Sequence, residues 1–267
     1  MPIISIHDLR VVRGRTEILK GIQWEVDARE NWVILGANGS GKTTLLSCVT
    51  GYVTPSAGTI QVLGKQYGKA DWRELRKGVG LVSSSIRHWI EDHQTALEVV
   101  ASGRNAEINM WHSPKGRLLK EARQNLRQVE CAYLGDRNWA FLSQGERQRV
   151  LIGRSLMAKY RILILDEPCA GLDPVARERF LQFLSRLTAS KRTPNLVFVT
   201  HDVEEILPCF GKALILQGGE ILSQGPIAKV ITSPTMTRAF GSRIAVRRQA
   251  GRFELRFAPP AGTKAAV

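Results

Sequence analysis

Eight residues restrict this chain more than any other feature. Gly36-Ala37-Asn38-Gly39-Ser40-Gly41-Lys42-Thr43 follows an apolar run, Trp32-Val33-Ile34-Leu35, and opens a helical pattern over residues 43–50 that closes at Gly51. A short continuous apolar run reads as a strand buried on both faces. The glycines let the backbone turn so that successive N–H groups point inward around an anion. The helix then aims its positive N-terminal end at the same place. The spacing GxxxxGK[ST] is that of a phosphate-binding loop. Lys42 sets a point charge against β- and γ-phosphate oxygens, and the Thr43 hydroxyl offers a ligand to Mg2+. Average residue frequencies leave roughly one chance match per hundred chains of this length. Strand, loop and helix in this order commit the chain to an α/β fold.

The remaining pattern fits that fold. Residues 3–12 and 22–26 alternate apolar and polar, which predicts antiparallel strands with one wet face. Residues 59–63 and 79–82 read as further strands. From about 95 to 159 the texture becomes helical and rich in Arg and Lys, with Leu118, Leu119, Ala122, Leu126 and Val129 on one stripe. Strand signals resume at 162–165, 196–200 and 213–216. Asp173-Pro174 supplies a helix cap followed by proline at the first helical position, and the helix after it buries Phe180, Leu184 and Leu187. Short buried strands joined by helices imply a largely parallel sheet, with a helical insertion between two strand-rich halves.

Two further sequences carry chemistry. Ile162-Leu163-Ile164-Leu165-Asp166-Glu167 is an apolar strand ending in two carboxylates. A nucleotide site needs an Asp to hold the Mg2+ water shell and a base to orient and deprotonate water. Asp166 suits the first role and Glu167 the second. His201 follows the strand Leu196-Val197-Phe198-Val199-Thr200, with Asp202 beside it. That position brings it to the same sheet edge as the phosphate loop, where open α/β sheets bind ligands.

Composition limits what else the chain can be. Of 267 residues, 43% are hydrophobic and 23% charged, which excludes a long disordered chain or a collagen-like repeat. No apolar run approaches the ~20 residues of a membrane-spanning helix, and the start lacks the basic and apolar regions of a signal peptide. Cys48, Cys131, Cys169 and Cys209 are far apart with no CxxC pair, which reads as free thiols in a reducing, cytoplasmic compartment. The net charge of +14 is unevenly spread. Residues 104–161 hold 12 basic and 5 acidic groups and residues 242–267 hold 6 and 1, whereas 1–103 hold 12 and 10 and 162–241 hold 8 and 8. The excess thus lies outside the segments bearing the phosphate loop and the acidic strand. In the tail, Ile244-Ala245-Val246 and Phe253-Glu254-Leu255-Arg256-Phe257 flank Gln249-Ala250-Gly251, which predicts a β-hairpin with a basic face. Pro259-Pro260 and the small residues after them mark a frayed end. No nucleic-acid motif accompanies the charge.

With these pieces in order, the sequence resembles the ATP-binding subunit of ABC transporters over residues 3–240. Leu142-Ser143-Gln144-Gly145-Glu146 is similar to the family's LSGGQ signature, Ala170-Gly171-Leu172-Asp173 to its D-loop, and His201 to its switch histidine. The resemblance implies a P-loop NTPase with a RecA-like core, an antiparallel β-subdomain and an inserted α-helical signature subdomain. Residues 1–241 would form the ATPase domain, with the helical part at about 85–160, and 242–267 a basic tail. It implies a Mg-dependent ATPase that powers transport through head-to-tail dimerisation, with two ATP molecules in the interface. Gly36, Ala37, Asn38, Gly39, Ser40, Gly41, Lys42, Thr43 and Thr44 would bind ATP. Thr43 would hold Mg2+ directly and Asp166 through water, and Glu167 and His201 would be catalytic. Ser143, Gln144, Gly145 and Glu146 would serve the ATP of the other protomer, and Asp173 would lie at the dimer interface. Partners would be a second copy or a paralogous subunit and membrane-embedded permease subunits, with no nucleic acid. The subunit would be cytoplasmic and peripheral on the inner face of the membrane.

Three departures from the family stand out. The usual Q-loop Gln is replaced within Ser83-Ser84-Ser85, with Ser84 nearest its position, so contact with Mg2+ would need an intervening water. Arg13 stands where an aromatic usually stacks on adenine, and its guanidinium plane can stack in its place. Gln144 and Glu146 replace Gly and Gln of the signature, and Gln144 fits if its φ is negative. The combination is similar to the molybdate and iron-complex branch. A soluble ABC ATPase of the iron–sulfur-assembly type, and an ATP-gated binding module with little turnover, are the alternative readings.

Overall fold

The computed structural model describes residues 2–71, 75, 78–87, 89–105, 107–158, 160–189 and 194–257, with the backbone alone of Ser84 and Ser85. The frayed end expected beyond residue 257 and the side chain of Ser84 therefore lie outside the described residues.

β1 (Ile4–Arg13) and β2 (Thr16–Val26) pair antiparallel and form a four-stranded sheet with β4 (Ala57–Val62) and β5 (Lys65–Gln66), in the order β2-β1-β4-β5. Residues 22–26 are only the second half of β2. Register shifts between Ile6 and Leu9 and again before Val11 and Val12 break the alternation that would have revealed the first half. β3 (Trp32–Leu35) leads through the phosphate loop into α1 (Lys42–Val49).

A second sheet carries the site. β3, β6 (Val79–Val82), β7 (Ile162–Asp166), β8 (Asn195–Thr200) and β9 (Lys212–Gln217) pair in parallel, β10 (Glu220–Pro226) joins antiparallel, and the order is β10-β9-β3-β8-β7-β6. Its strands are apolar on both faces. Val33, Leu35, Leu163, Leu165 and Phe198 pack toward the helices, whereas Trp32, Ile34, Ile164, Val197 and Val199 pack toward α1 and the antiparallel sheet. Register aligns the strand ends: Leu35 pairs with Thr200, and Asp166 with Val199. The phosphate loop, the carboxylate pair and His201 therefore leave the sheet at one edge.

Between β6 and β7 lie α2 (Ser84–Arg87), α3 (Ala96–Ser102), α4 (Gly116–Gln128) and α5 (Gln144–Met157). The helical texture of 95–159 thus resolves into three main helices separated by 3₁₀ turns. Gly103 caps α3 and meets the Arg154 backbone of α5, where a Cβ has no room. α6 (Pro174–Thr188) follows β7 and buries Phe180, Leu184 and Leu187. After α7 (Ile227–Val230) and α8 (Ser233–Phe240), β11 (Ile244–Gln249) and β12 (Arg252–Phe257) make a hairpin. Its two-residue turn has positive φ at both Ala250 (49°) and Gly251 (79°), the twist that a tight hairpin requires. No helix among the described residues is long and apolar enough to cross a membrane. All four cysteines are free.

Candidate nucleotide-binding site

The phosphate loop is a preformed cradle. Gly36 packs against the Leu216 carbonyl and Ser40, where a Cβ would collide. Gly41, at φ 105°, caps α1 without a side-chain hydrogen bond, so the first N–H groups of that helix face outward for an anion. The Ser40 hydroxyl is buried and has no hydrogen-bond partner, a costly arrangement unless a ligand completes it. Asn38, Gly39 and Thr43 are exposed, while Ala37 and Thr44 are half-buried. Lys42 is only 5% exposed. Its ammonium donates to the carbonyls of Gly36 (2.9 Å) and Ala37 (3.1 Å) and lies 3.8 Å from Glu167 Oε1. Burial lowers its pKa, opposed by the charges of Glu167 and Asp166.

Glu167 takes a left-handed backbone (φ 47°) immediately after β7, and its N–H donates to the Val199 carbonyl at 2.9 Å. This turn sets the carboxylate between the Lys42 ammonium and the His201 ring, because Oε1 is also 3.5 Å from His201 Nδ1. The sequence order of these residues is legible, but this bridging position is not. Asp166 ends β7, and burial, reinforced by the neighbouring Glu167 charge and opposed by Lys42, pushes its carboxyl up to about 6. A raised acid pKa favours the protonated fold. The stabilisation is complete below the ordinary value of 3.8 and is lost as pH rises through about 6. Asp166→Asn is therefore expected to raise the Tm of the nucleotide-free protein at pH 7.5 by a few degrees, and to change it little near pH 4. Thermal melts of both proteins at the two pH values check this; equal Tm values at pH 7.5 would contradict it.

The signature forms a second centre. Ser143 caps α5: its hydroxyl accepts from Glu146 N (3.3 Å), and Glu146 Oε2 accepts from Ser143 N (2.8 Å). Glu146 Oε1 accepts from the Tyr133 hydroxyl at 3.1 Å, a partner that no sequence motif announces. The carboxylate thus holds Ser143 in place and is not free for a ligand. Gln144 begins the helix and has no positive φ, which meets the condition for a side chain there. Its amide fills the space beside Gly171, where a Cβ would lie 2.6 Å from Oε1. Asp173 Oδ1 accepts from Val175 N and Ala176 N, both at 2.9 Å, and so caps α6. The two helix starts border a cleft of about 530 Å3 lined by Ser143, Gly145, Arg149, Asp173 and Arg179. No phosphate-loop residue lines it. The signature cleft and the phosphate loop are therefore lined by different residues of the chain. Arg13 is exposed and pairs with Thr16 at the end of the β1–β2 hairpin.

Three aromatics that belong to no motif are exposed: Trp89 (52%), Trp111 (86%) and Phe141 (72%). The segments bearing them are tied together. Asn109 Nδ2 donates to the Trp89 carbonyl, Gln94 Nε2 donates to the Met110 carbonyl, and Trp139 N donates to the Gln94 carbonyl.

Comparison with known proteins agrees with this geometry. The family profile described as ABC transporter matches residues 19–170. The chain is 39% identical to the ABC transporter ATP-binding protein YlmA of Bacillus subtilis (strain 168), covering 91% of this chain and 93% of YlmA. It is 32% identical to the molybdenum import ATP-binding protein ModC of Mycobacterium tuberculosis (strain ATCC 25618 / H37Rv), over 84% of this chain and 60% of ModC. Among solved structures, cbiO1 of Clostridium perfringens, part of the ABC transporter complex cbiONQ, superposes with a TM-score of 0.76 at 25% identity, covering 89% of this chain and 93% of cbiO1. The chain belongs to the ABC transporter family, as one of its ATP-binding subunits.

Proposed function

We propose that this subunit hydrolyses ATP with Mg2+ and that two copies, or one copy and a paralogous subunit, close around the nucleotides to drive a permease. The observation that carries the reading is Glu167 Oε1, set between Lys42 Nζ and His201 Nδ1 at 3.8 and 3.5 Å. The residues present suit the ligands: an unpaired buried Ser40 hydroxyl, open N–H groups at the start of α1, and a buried ammonium all favour a polyphosphate. Gly36 to Thr44 would hold ATP, with Arg13 stacking on the base. Thr43, with Asp166 through water, would hold Mg2+, whose contribution when bound is to neutralise charge between the β- and γ-phosphates. Ser84 would be a further contact to the metal through water. Glu167 would orient the attacking water and accept its proton, and His201 would contact the γ-phosphate side. Phosphate release that depends on Mg2+ and exceeds that of the Glu167→Gln protein tests the reading; equal release by the two would end it.

The separation of the half-sites supports the dimer. Ser143 and Gly145 lie on a cleft apart from the phosphate loop, so they would reach the γ-phosphate of ATP held by a second protomer. Glu146 would act there by holding Ser143, and Asp173 by fixing the start of α6 at the interface.

Exposed Trp89, Trp111 and Phe141, on segments tied by hydrogen bonds, fit a permease better than an assembly factor's role in free solution, because exposed aromatics are enriched at protein interfaces. The subunit would then sit on the cytoplasmic face of the membrane as a peripheral protein. Trp111→Glu is expected to leave ATP affinity within about twofold and to weaken copurification with the permease by at least roughly tenfold, the effect of losing an interface anchor. Unchanged copurification would place the contact elsewhere. The branch resemblance and ModC make molybdate-type and iron-complex transporters the first to test.

A further inference from the structure

Five arginines in the tail read as one basic face, yet the structure separates one of them. Arg243, Arg247, Arg248 and Arg256 are exposed, with Arg248 stacked on the Phe253 ring at 5.4 Å. Arg252, the first residue of β12, turns inward and joins two elements of the ATPase core. Its Nη2 and Nε donate to the Glu204 carbonyl at 2.6 and 3.2 Å, and its Nη1 donates to Glu178 Oε2 and Oε1 at 3.1 and 3.2 Å. Glu204 belongs to the 3₁₀ turn Val203–Glu205, which begins two residues after His201. Glu178 lies on α6, the helix that Asp173 caps at the signature cleft.

The rest of that turn is tied to the core. Asp202 N donates to Thr200 Oγ1 at 3.0 Å, and Thr200 Oγ1 donates to the buried Glu205 carboxyl at 2.6 Å. Asp202 accepts from Glu204 N and from Arg177 of α6, each at 2.9 Å. Apolar packing follows the same line. Phe253 shares the buried cluster of Val203 and Ile206, and the hairpin glycine Gly251 lies against Pro208. The segment bearing His201 is thus held on one side by its own strand and α6, and on the other by a guanidinium from the C-terminal hairpin. A planar fork with five donors suits this bridge, which a single ammonium makes only in part.

We propose that Arg252 is a positioning residue for His201, and that the C-terminal hairpin thereby sets the turnover rate without touching nucleotide. The proposal rests on the reading of His201 as a γ-phosphate contact. Releasing the Glu204 carbonyl lets the turn shift, and small misplacements of a catalytic group are costly in rate.

The test measures kcat and KM for ATP, together with the histidine ring resonances by NMR. Arg252→Ala is expected to lower kcat on the order of tenfold with KM within about twofold, and Arg252→Lys to recover part of the loss. In a His201→Ala background, Arg252→Ala is expected to add nothing; losses that multiply would mean that Arg252 acts by general stability and would overturn the proposal. The His201 resonance, identified among the five histidines by its absence from His201→Ala, is expected to move in Arg252→Ala while the others stay. An unmoved resonance overturns the proposal even if the protein releases no phosphate, whereas absent turnover alone counts only against the ATPase reading. Should Arg252→Ala fail to fold, Glu178→Gln frees one side of the fork and is expected to give a smaller loss, roughly threefold in kcat, with the same shift of His201. No loss and no shift would again refute it.

Discussion

Glu167→Gln is expected to lower ATP turnover by roughly 10²–10⁴ and to leave ATP binding intact. Gln matches Glu in size and can keep the backbone turn at φ 47°, so the loss is of basicity and charge rather than of shape. Glu167 Oε1 now stands between the Lys42 ammonium and His201. Without that charge a water is still held but not deprotonated, and the step that ends the ATP-bound state stalls. Binding does not suffer, because removing an anion beside Lys42 relieves repulsion toward the phosphates. The variant should therefore accumulate as a dimer with ATP at the interface of the two half-sites. Light scattering at saturating Mg-ATP checks the dimer, and single-turnover phosphate release checks the rate. A variant that stays monomeric while binding ATP with wild-type affinity would remove the ATP-sandwich reading, whatever its rate.

The features legible in the sequence share a property: each is local, and its residues do their work within a few positions of one another. Gly36 to Thr43 specify a turn, a cradle and a helix start by spacing alone. Apolar runs before Gly36, Asp166 and His201 specify three strands of one sheet, and their order brings the ends to one edge. What stayed hidden depends on partners far away in the chain. The bridging of Glu167 follows from its left-handed backbone and from pairing with Val199 in β8. The fixing of Ser143 through Glu146 needs Tyr133, and the inward turn of Arg252 needs Glu178 and Glu204. By composition Arg252 is indistinguishable from Arg247 or Arg256, and pairing puts all three on one face of the hairpin; only the positions of α6 and the 203–205 turn separate them. The first half of β2 was obscured for a different reason, since β2 carries an extra residue between Ile22 and Leu19 and another between Leu19 and Glu17, which interrupts the period of two on which strand reading relies.

Lys42→Ala is expected to weaken ATP binding by roughly 10²–10³, in line with losing a buried, hydrogen-bonded charge. Two losses combine. The phosphates lose a desolvated cation, and the carbonyls of Gly36 and Ala37 lose the donor that holds the loop open. The fold itself should tolerate the change, because burial already works against this ammonium and lowers its pKa. The nucleotide-free Tm is thus expected to stay within a few degrees of wild type, which separates a binding defect from a folding one. A third effect follows from charge. Lys42 opposes the burial and the Glu167 charge that push Asp166 up to about 6, so its removal raises that value further. Any residual Mg2+-dependent ATP binding by Lys42→Ala should then fade at a higher pH than in the wild type, as more Asp166 is protonated. Calorimetric titration of ATP with and without Mg2+, repeated from pH 6 to pH 8, measures both effects. Affinity within threefold of wild type would show that the backbone cradle alone holds the phosphates, and that the buried ammonium serves the loop rather than the ligand.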